Sequence, residues 1–103
     1  MSILESVLQE ELHRLETNVL AYQKAISDLP KGYIYIQDIG DRGYCYRKWR
    51  EGNKIVSFYI GPEDSEESKK AKEQYQERKR LQENLIELKK EKKQLAKALR
   101  CYR

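Results

Sequence analysis

The sequence predicts an α+β fold, in which a helix is followed by a three-stranded antiparallel β-meander and then by a longer helix. At both ends of the chain, apolar residues recur at alternating spacings of four and three, which is typical of helices that pack against a partner helix. Between these segments the period changes to two and is interrupted by glycine-containing turns, which is typical of strands. The 103 residues suffice for one domain, so residues 1–103 are assigned to a single domain.

The composition favours a small binding or structural protein. Charged residues make up 37% of the chain and hydrophobic residues 39%, and the mean hydropathy is −0.94. This balance excludes a broad hydrophobic core. No apolar run reaches the roughly 18–20 residues of a membrane span, and no signal peptide is recognised at the start. We therefore expect a cytoplasmic protein without membrane contact.

The first helix is predicted over residues 2–29. Ser2 can cap its start, with Glu5 completing a capping box. Pro30 ends it, because a residue that precedes proline is pushed out of helical geometry. Seven residues form a heptad seam that predicts a partner helix. The seam residues are Leu8, Leu12, Leu15, Val19, Tyr22, Ile26 and Leu29.

Three strands are predicted within residues 33–60. Gly40–Gly43 supplies the first turn, and Gly52-Asn53 supplies a two-residue hairpin loop of a favoured kind. The strands are Tyr33–Ile39, Tyr44–Arg50 and Lys54–Ile60. Alternation separates an apolar set, expected to face the second helix, from tyrosines that point the other way. The apolar set is Ile34, Ile36, Val56, Phe58 and Ile60, and the opposite set is Tyr33, Tyr35 and Tyr59. The outward face of the middle strand depends on its register and stays open.

The second helix is predicted over residues 65–102, with Ser65 as its N-cap. Its seam, from Leu81 to Tyr102, repeats the spacing of the first seam. Residues 1–30 are acidic and the chain from Lys69 onward is basic, so the two helices are expected to form an antiparallel coiled-coil hairpin. Apolar residues outside the seams predict self-association, as a homodimer or as a helix-swapped dimer.

The middle strand carries the candidate functional surface. Residues 42–50 hold four bases, two tyrosines and one tryptophan, and no acid. Lysine and arginine neutralise phosphates, and aromatic rings stack on exposed bases, so this composition predicts nucleic-acid binding. The candidate residues are Arg42, Tyr44, Tyr46, Arg47, Lys48, Trp49, Arg50 and Lys54. The alternative is a protein–protein adaptor or inhibitor, in which the tyrosines, Trp49 and the coiled coil bind a protein partner.

Nothing in the sequence predicts catalysis. His13 has no metal-ligating neighbour at a suitable spacing, and no serine or cysteine has a recognisable base beside it. Cys45 and Cys101 are expected to lie too far apart for a disulfide, which needs Cα atoms within about 7 Å. We therefore predict a non-enzymatic protein with two free thiols and with no metal or cofactor.

Residues 29–61 resemble a tyrosine-rich sheet motif of small uncharacterised bacterial and archaeal proteins, which share the helix–sheet–helix layout. The matching segments are Leu29–Gly32, Gly43–Tyr46, Arg50–Gly52, Lys54–Ser57 and Tyr59–Gly61. Similar stretches occur near transposase-like and Fic-type proteins, so the resemblance implies a cytoplasmic accessory protein from a mobile element. It brings no activity, cofactor or catalytic residue. Cys45 and Trp49 depart from the tyrosine and aliphatic residues of the motif.

Overall fold

A computed structural model of the chain describes residues 2–102. The elements are α1 (Ile3–Ser27), β1 (Tyr33–Ile39), β2 (Arg42–Glu51), β3 (Lys54–Pro62) and α2 (Glu66–Arg100). The strands form one antiparallel sheet in the order β1-β2-β3, so the predicted α+β fold class is confirmed. The chain divides into two compact units. The helical unit is Met1–Ile26 with Arg80–Arg103, and the sheet unit is Ser27–Lys79.

Local signals account for both ends of α1. The Ser2 hydroxyl accepts a hydrogen bond from the Glu5 amide at 3.0 Å. This bond satisfies one of the free amides of the first turn. The helix ends at Ser27 rather than at residue 29, because Pro30 disfavours helical geometry in the residue before it. Neither helix of the described residues combines the length and the apolar character that crossing a bilayer requires.

In the helical unit, α1 lies beside the second part of α2. Leu15 lines a groove with Leu95, and Val19 lines another with Lys92 and Ala96, so the two helices lie side by side. The seam residues Leu15, Val19 and Leu99 are buried. Their burial supplies the apolar core of this unit. The finer predictions of coiled-coil packing and of self-association stay predictions.

The sheet has a regular register with one irregularity. Tyr35 pairs with Tyr46, which in turn pairs with Tyr59. A bulge between Cys45 and Tyr46 shifts the pairing of β2 with β3. β2 begins two residues before the predicted Tyr44, because the first turn is tight enough for Arg42 and Gly43 to pair with β1.

The first turns of α2 pack on one face of the sheet. The Ser65 hydroxyl caps α2 by accepting a hydrogen bond from the Ser68 amide at 3.2 Å. It also donates to the Ser68 hydroxyl at 2.9 Å, and the Ser68 hydroxyl donates to the Gly61 carbonyl at 3.3 Å. Cys45 and Ala71 are buried at this contact. We call this side of the sheet the docked face.

The two cysteines are free, as predicted, with Cys45 buried and Cys101 exposed. Burial of Cys45 shields its thiol from solvent, so this residue acts as a small apolar core residue. Within residues 2–102 no group of three His, Cys, Asp or Glu side chains is arranged to hold a metal ion.

Candidate nucleic-acid interface

The register of the sheet brings five of the eight tyrosines to one face. Because successive side chains of a strand point to opposite faces, each pair of facing residues shares a side. The pairing of Tyr35 with Tyr46, and of Tyr46 with Tyr59, therefore fixes the whole set. We call this side the tyrosine face. Its residues are Tyr33, Tyr35, Gln37, Tyr44, Tyr46, Lys48, Arg50, Ile55, Ser57 and Tyr59. Ile39, Arg42 and Pro62 lie on the same side at the strand ends and are not counted with this face, because Arg42 lines a groove there with the carboxylates of Glu63 and Asp64.

Contacts between these side chains hold part of the face in place. The rings of Tyr46 and Tyr59 are tilted at 54° with their centroids 5.3 Å apart, and Tyr44 lies 6.4 Å from Tyr59. Such tilted aromatic pairs stabilise a sheet surface. The Lys48 ammonium lies 4.0 Å from the centroid of the Tyr35 ring, which is cation–π geometry. Aromatic and cationic groups are thus interleaved.

The tyrosine face remains accessible to solvent. Tyr33, Tyr35 and Tyr59 are 44%, 42% and 47% exposed. Large aromatic side chains that stay this open on one surface are characteristic of a binding site rather than of a core.

The charged residues of the tyrosine face are all cations. Its strand residues include Lys48 and Arg50 and no aspartate or glutamate. The carboxylates of the strands lie elsewhere: Asp38 and Glu51 alternate with the residues of this face and so belong to the docked side. An anionic ligand on the tyrosine face would therefore meet two cations and no opposing charge from the strands.

The structure brings together half of the residues that the sequence singled out. Tyr44, Tyr46, Lys48 and Arg50 lie on the tyrosine face, whereas Arg47 and Trp49 lie on the docked side. The other two lie at the ends of β2 and β3. Arg42 shares a groove with Glu63, Asp64 and Lys72, and Lys54 faces Glu51 beside the second hairpin turn.

The nucleic-acid residues predicted from the sequence do not include Tyr33, Tyr35 and Tyr59. The signal that could have included them is the length of the loops. Both predicted turns, Gly40–Gly43 and Gly52-Asn53, hold an even number of residues, so an odd-numbered residue on β1, or on β3 before the bulge, faces an even-numbered residue on β2. Odd-numbered tyrosines of the outer strands must then join Tyr44 and Tyr46.

The apolar set of the docked face is less covered than the pattern predicted. Ile34, Val56 and Phe58 do share the face that carries Cys45. Phe58, however, is 59% exposed. It borders a groove beside Ala71 of α2 rather than lying beneath the helix.

Comparison with known proteins places the chain in a family. Searches of curated proteins and of solved structures found no match. A family model described as a domain of unknown function, DUF6788, matches residues 4–70. This range includes nearly all of α1, the whole sheet and the start of α2, which caps the docked face. Because the match spans more than half of the chain, the chain belongs to the DUF6788 family.

Proposed function

We propose that the chain is a non-enzymatic accessory protein that binds single-stranded nucleic acid on the tyrosine face. One observation carries the proposal: five tyrosines share this face with two cations and with no carboxylate. Rings stack on bases, and cations neutralise phosphates. The setting in a mobile element rests on the resemblance of residues 29–61 alone.

The balance of rings and charges favours a single strand over a duplex. Binding to a duplex depends chiefly on phosphate contacts, and the face offers only Lys48 and Arg50 for these. Stacking on an aromatic side chain contributes about 1–3 kcal/mol per base and needs an unpaired base. Because rings outnumber cations, most of the affinity would come from stacking.

The number of cations on the tyrosine face also predicts how strongly the binding affinity depends on salt concentration. Each neutralised phosphate of a single strand contributes a slope of about 0.7 in the logarithm of affinity against that of salt concentration. Two cations therefore predict a shallow slope of about 1.4 for the tyrosine face. A much steeper slope would place the binding surface on the lysine-rich helix instead.

Pairing of two copies forms a second part of the proposal. Leu20 and Ile86 lie outside the helix seams and are 68% and 55% exposed. Exposed apolar side chains of this size favour burial against another surface. A second copy would double the number of tyrosine faces in the assembly.

The direct test is fluorescence anisotropy with labelled 12-nucleotide DNA and RNA, each single-stranded and as a duplex. We expect Tyr35→Ala to weaken single-strand binding about 5- to 150-fold, the range that stacking energies imply. Tyr102→Ala is the matched control, because Tyr102 is equally exposed but lies in the helical unit.

Adjacent residues of β2 provide a second matched pair. Arg50→Gln should weaken binding and lower the salt slope, since Arg50 lies on the tyrosine face. Arg47→Gln should leave both unchanged, because Arg47 lies on the docked side. Equal losses for the two variants, or duplex binding as tight as single-strand binding, would contradict the proposal.

A further inference from the structure

An open groove lies on the docked side of the sheet, beyond the contact with α2. It has a volume of about 320 Å³, near the lower end of the range for small-ligand sites. Two chain segments form it: the loop before β1 and the middle of the sheet. The lining residues are Pro30, Lys31, Arg47, Trp49 and Phe58. We call it the Trp49 groove.

The backbone at Gly32 sets one wall of this groove. Gly32 has a φ of +96°, a conformation that other residues rarely adopt. A Cβ atom at this position would overlap the Lys48 carbonyl oxygen and lie 3.0 Å from Trp49 Cβ. The absence of a side chain therefore lets the loop that carries Pro30 and Lys31 lie directly against β2.

The aromatic wall of the groove is also fixed. The Trp49 indole nitrogen donates a hydrogen bond to the Glu51 carboxylate at 3.0 Å, which orients the ring. Phe58 comes from β3, where it pairs with Arg47. A groove with oriented walls needs little rearrangement to bind a ligand, which favours affinity.

The chemistry of the lining identifies the kind of ligand. Lys31 and Arg47 are cations, and none of the five lining residues is acidic. The neighbouring Glu51 carboxylate accepts the hydrogen bond from Trp49 and lies opposite Lys54 in the sheet, so the two lining cations remain in excess. Pro30, Trp49 and Phe58 offer apolar surface to a single large side chain. Tryptophan and arginine are also the residue types that most often dominate protein interfaces. The ligand that fits is anionic and carries an apolar anchor.

We propose that the Trp49 groove binds a peptide segment of another protein, in which an apolar anchor residue is flanked by aspartate or glutamate. A peptide fits better than a nucleic-acid strand, because the groove holds one anchor and offers no row of rings for successive bases. Arg47 and Trp49 alternate with Lys48 and Arg50 along β2, so this site and the tyrosine face lie on opposite sides of the sheet. Together with the function proposed for the tyrosine face, on which this step rests, the groove would let the chain link a protein to a nucleic acid.

The experiment uses the full chain and its single tryptophan, Trp49, whose fluorescence reports directly on the groove. The probe is a synthetic six-residue peptide, Leu-Phe with two acidic residues on each side. We expect a saturable change in Trp49 emission below 1 mM peptide. A peptide with lysines in place of the acids, and one with Gly-Gly in place of Leu-Phe, should each bind at least tenfold more weakly.

Two variants and one control localise the binding. Lys31→Gln and Arg47→Gln should each weaken binding of the peptide about tenfold, whereas Lys97→Gln, which changes an exposed lysine of the helical unit, should not. Lys31 is exposed, so its substitution leaves folding intact. Circular dichroism of each variant checks this.

The outcomes separate this proposal from the one for the tyrosine face. The Tyr35→Ala variant should bind the peptide as the wild type does, even though its affinity for nucleic acid is reduced. The absence of a saturable signal, an equal response to the basic peptide, or equal weakening by Lys97→Gln would overturn the proposal. A Trp49 signal with a 12-nucleotide strand that Arg47→Gln abolishes would overturn it in favour of a nucleic-acid ligand.

Discussion

The attachment of α2 to the sheet can be tested by replacing Ser68 with alanine. Ser68 is completely buried, and its hydroxyl donates to the Gly61 carbonyl at 3.3 Å while it accepts from the Ser65 hydroxyl at 2.9 Å. The substitution removes both hydrogen bonds. A typical net hydrogen bond contributes about 0.5–1.5 kcal/mol, and a buried group left without a partner costs about 1–3 kcal/mol. We therefore expect Ser68→Ala to lower the free energy of unfolding by about 2 kcal/mol.

A double-mutant cycle with Ser65 sharpens this expectation. Ser65→Ala removes the N-cap of α2, at a cost of about 1 kcal/mol. Both single variants lose the same hydrogen bond between the two hydroxyls. The double variant should therefore be more stable than the sum of the single losses implies, by about 0.5–1 kcal/mol. This coupling would show that the two serines act as one relay from the cap to Gly61.

The assay is urea denaturation of the full chain, followed by Trp49 fluorescence for the sheet unit and by circular dichroism for the helices. In a thermal melt the expected loss corresponds to a fall in Tm of about 8–16 °C for a domain of this size. Ser57→Ala, on an exposed serine of β3, is the matched control and should change stability by less than about 0.5 kcal/mol. Fully additive losses, or a Ser68 effect no larger than the Ser57 effect, would refute the relay.

Gly32→Ala should destabilise the sheet unit by more than Gly40→Ala does, measured by the same urea titration. Both glycines have positive φ, but a Cβ atom meets the Lys48 carbonyl only at Gly32 and nothing within 4 Å at Gly40; equal losses would mean that the loop does not lie against β2. A hydrogen bond from Arg14 lowers the pKa of Glu11 below its ordinary value of 4.5. Stability from this pair is therefore present above pH 4.5 and is lost as the pH falls through the lowered pKa. The Tm of the wild type should exceed that of Glu11→Gln at pH 7 and converge with it near pH 2, whereas a constant gap would exclude the ion pair as the cause.

Signals that act over a few residues predicted the fold class and the order of the elements. Ser2 and Ser65 cap the two helices as their positions in the sequence indicate, since a cap needs only a hydroxyl beside the free amides of the first turn. The strands follow from alternation and from the turn residues between them. The predicted ends of the strands were less accurate, because a strand ends where its pairing with the neighbouring strand ends. β3 continues to Pro62 because it pairs across the bulge with Tyr44.

The residues of β2 alone were not sufficient to predict which side chains form the candidate site. The bases and aromatics of β2 stand together in sequence, yet alternation sends Arg47 and Trp49 to one side and Lys48 and Arg50 to the other. A surface is made of residues that face each other across strands. The tyrosines of β1 and β3, rather than the sequence neighbours on β2, therefore complete the tyrosine face.

Phe58 shows what the pattern could not reveal about the docked face. Its position in β3 predicts burial under α2, but the helix contacts the sheet through small residues, Ser68 and Ala71, over Cys45 and Gly61. Small residues allow close approach, and a helix that approaches closely at one place covers only a narrow part of the sheet. The apolar face is wider than the helix, so Phe58 stays 59% exposed beside Trp49. An exposed apolar residue of this size beside Trp49 is one of the observations on which we base the proposed binding of a peptide in the Trp49 groove.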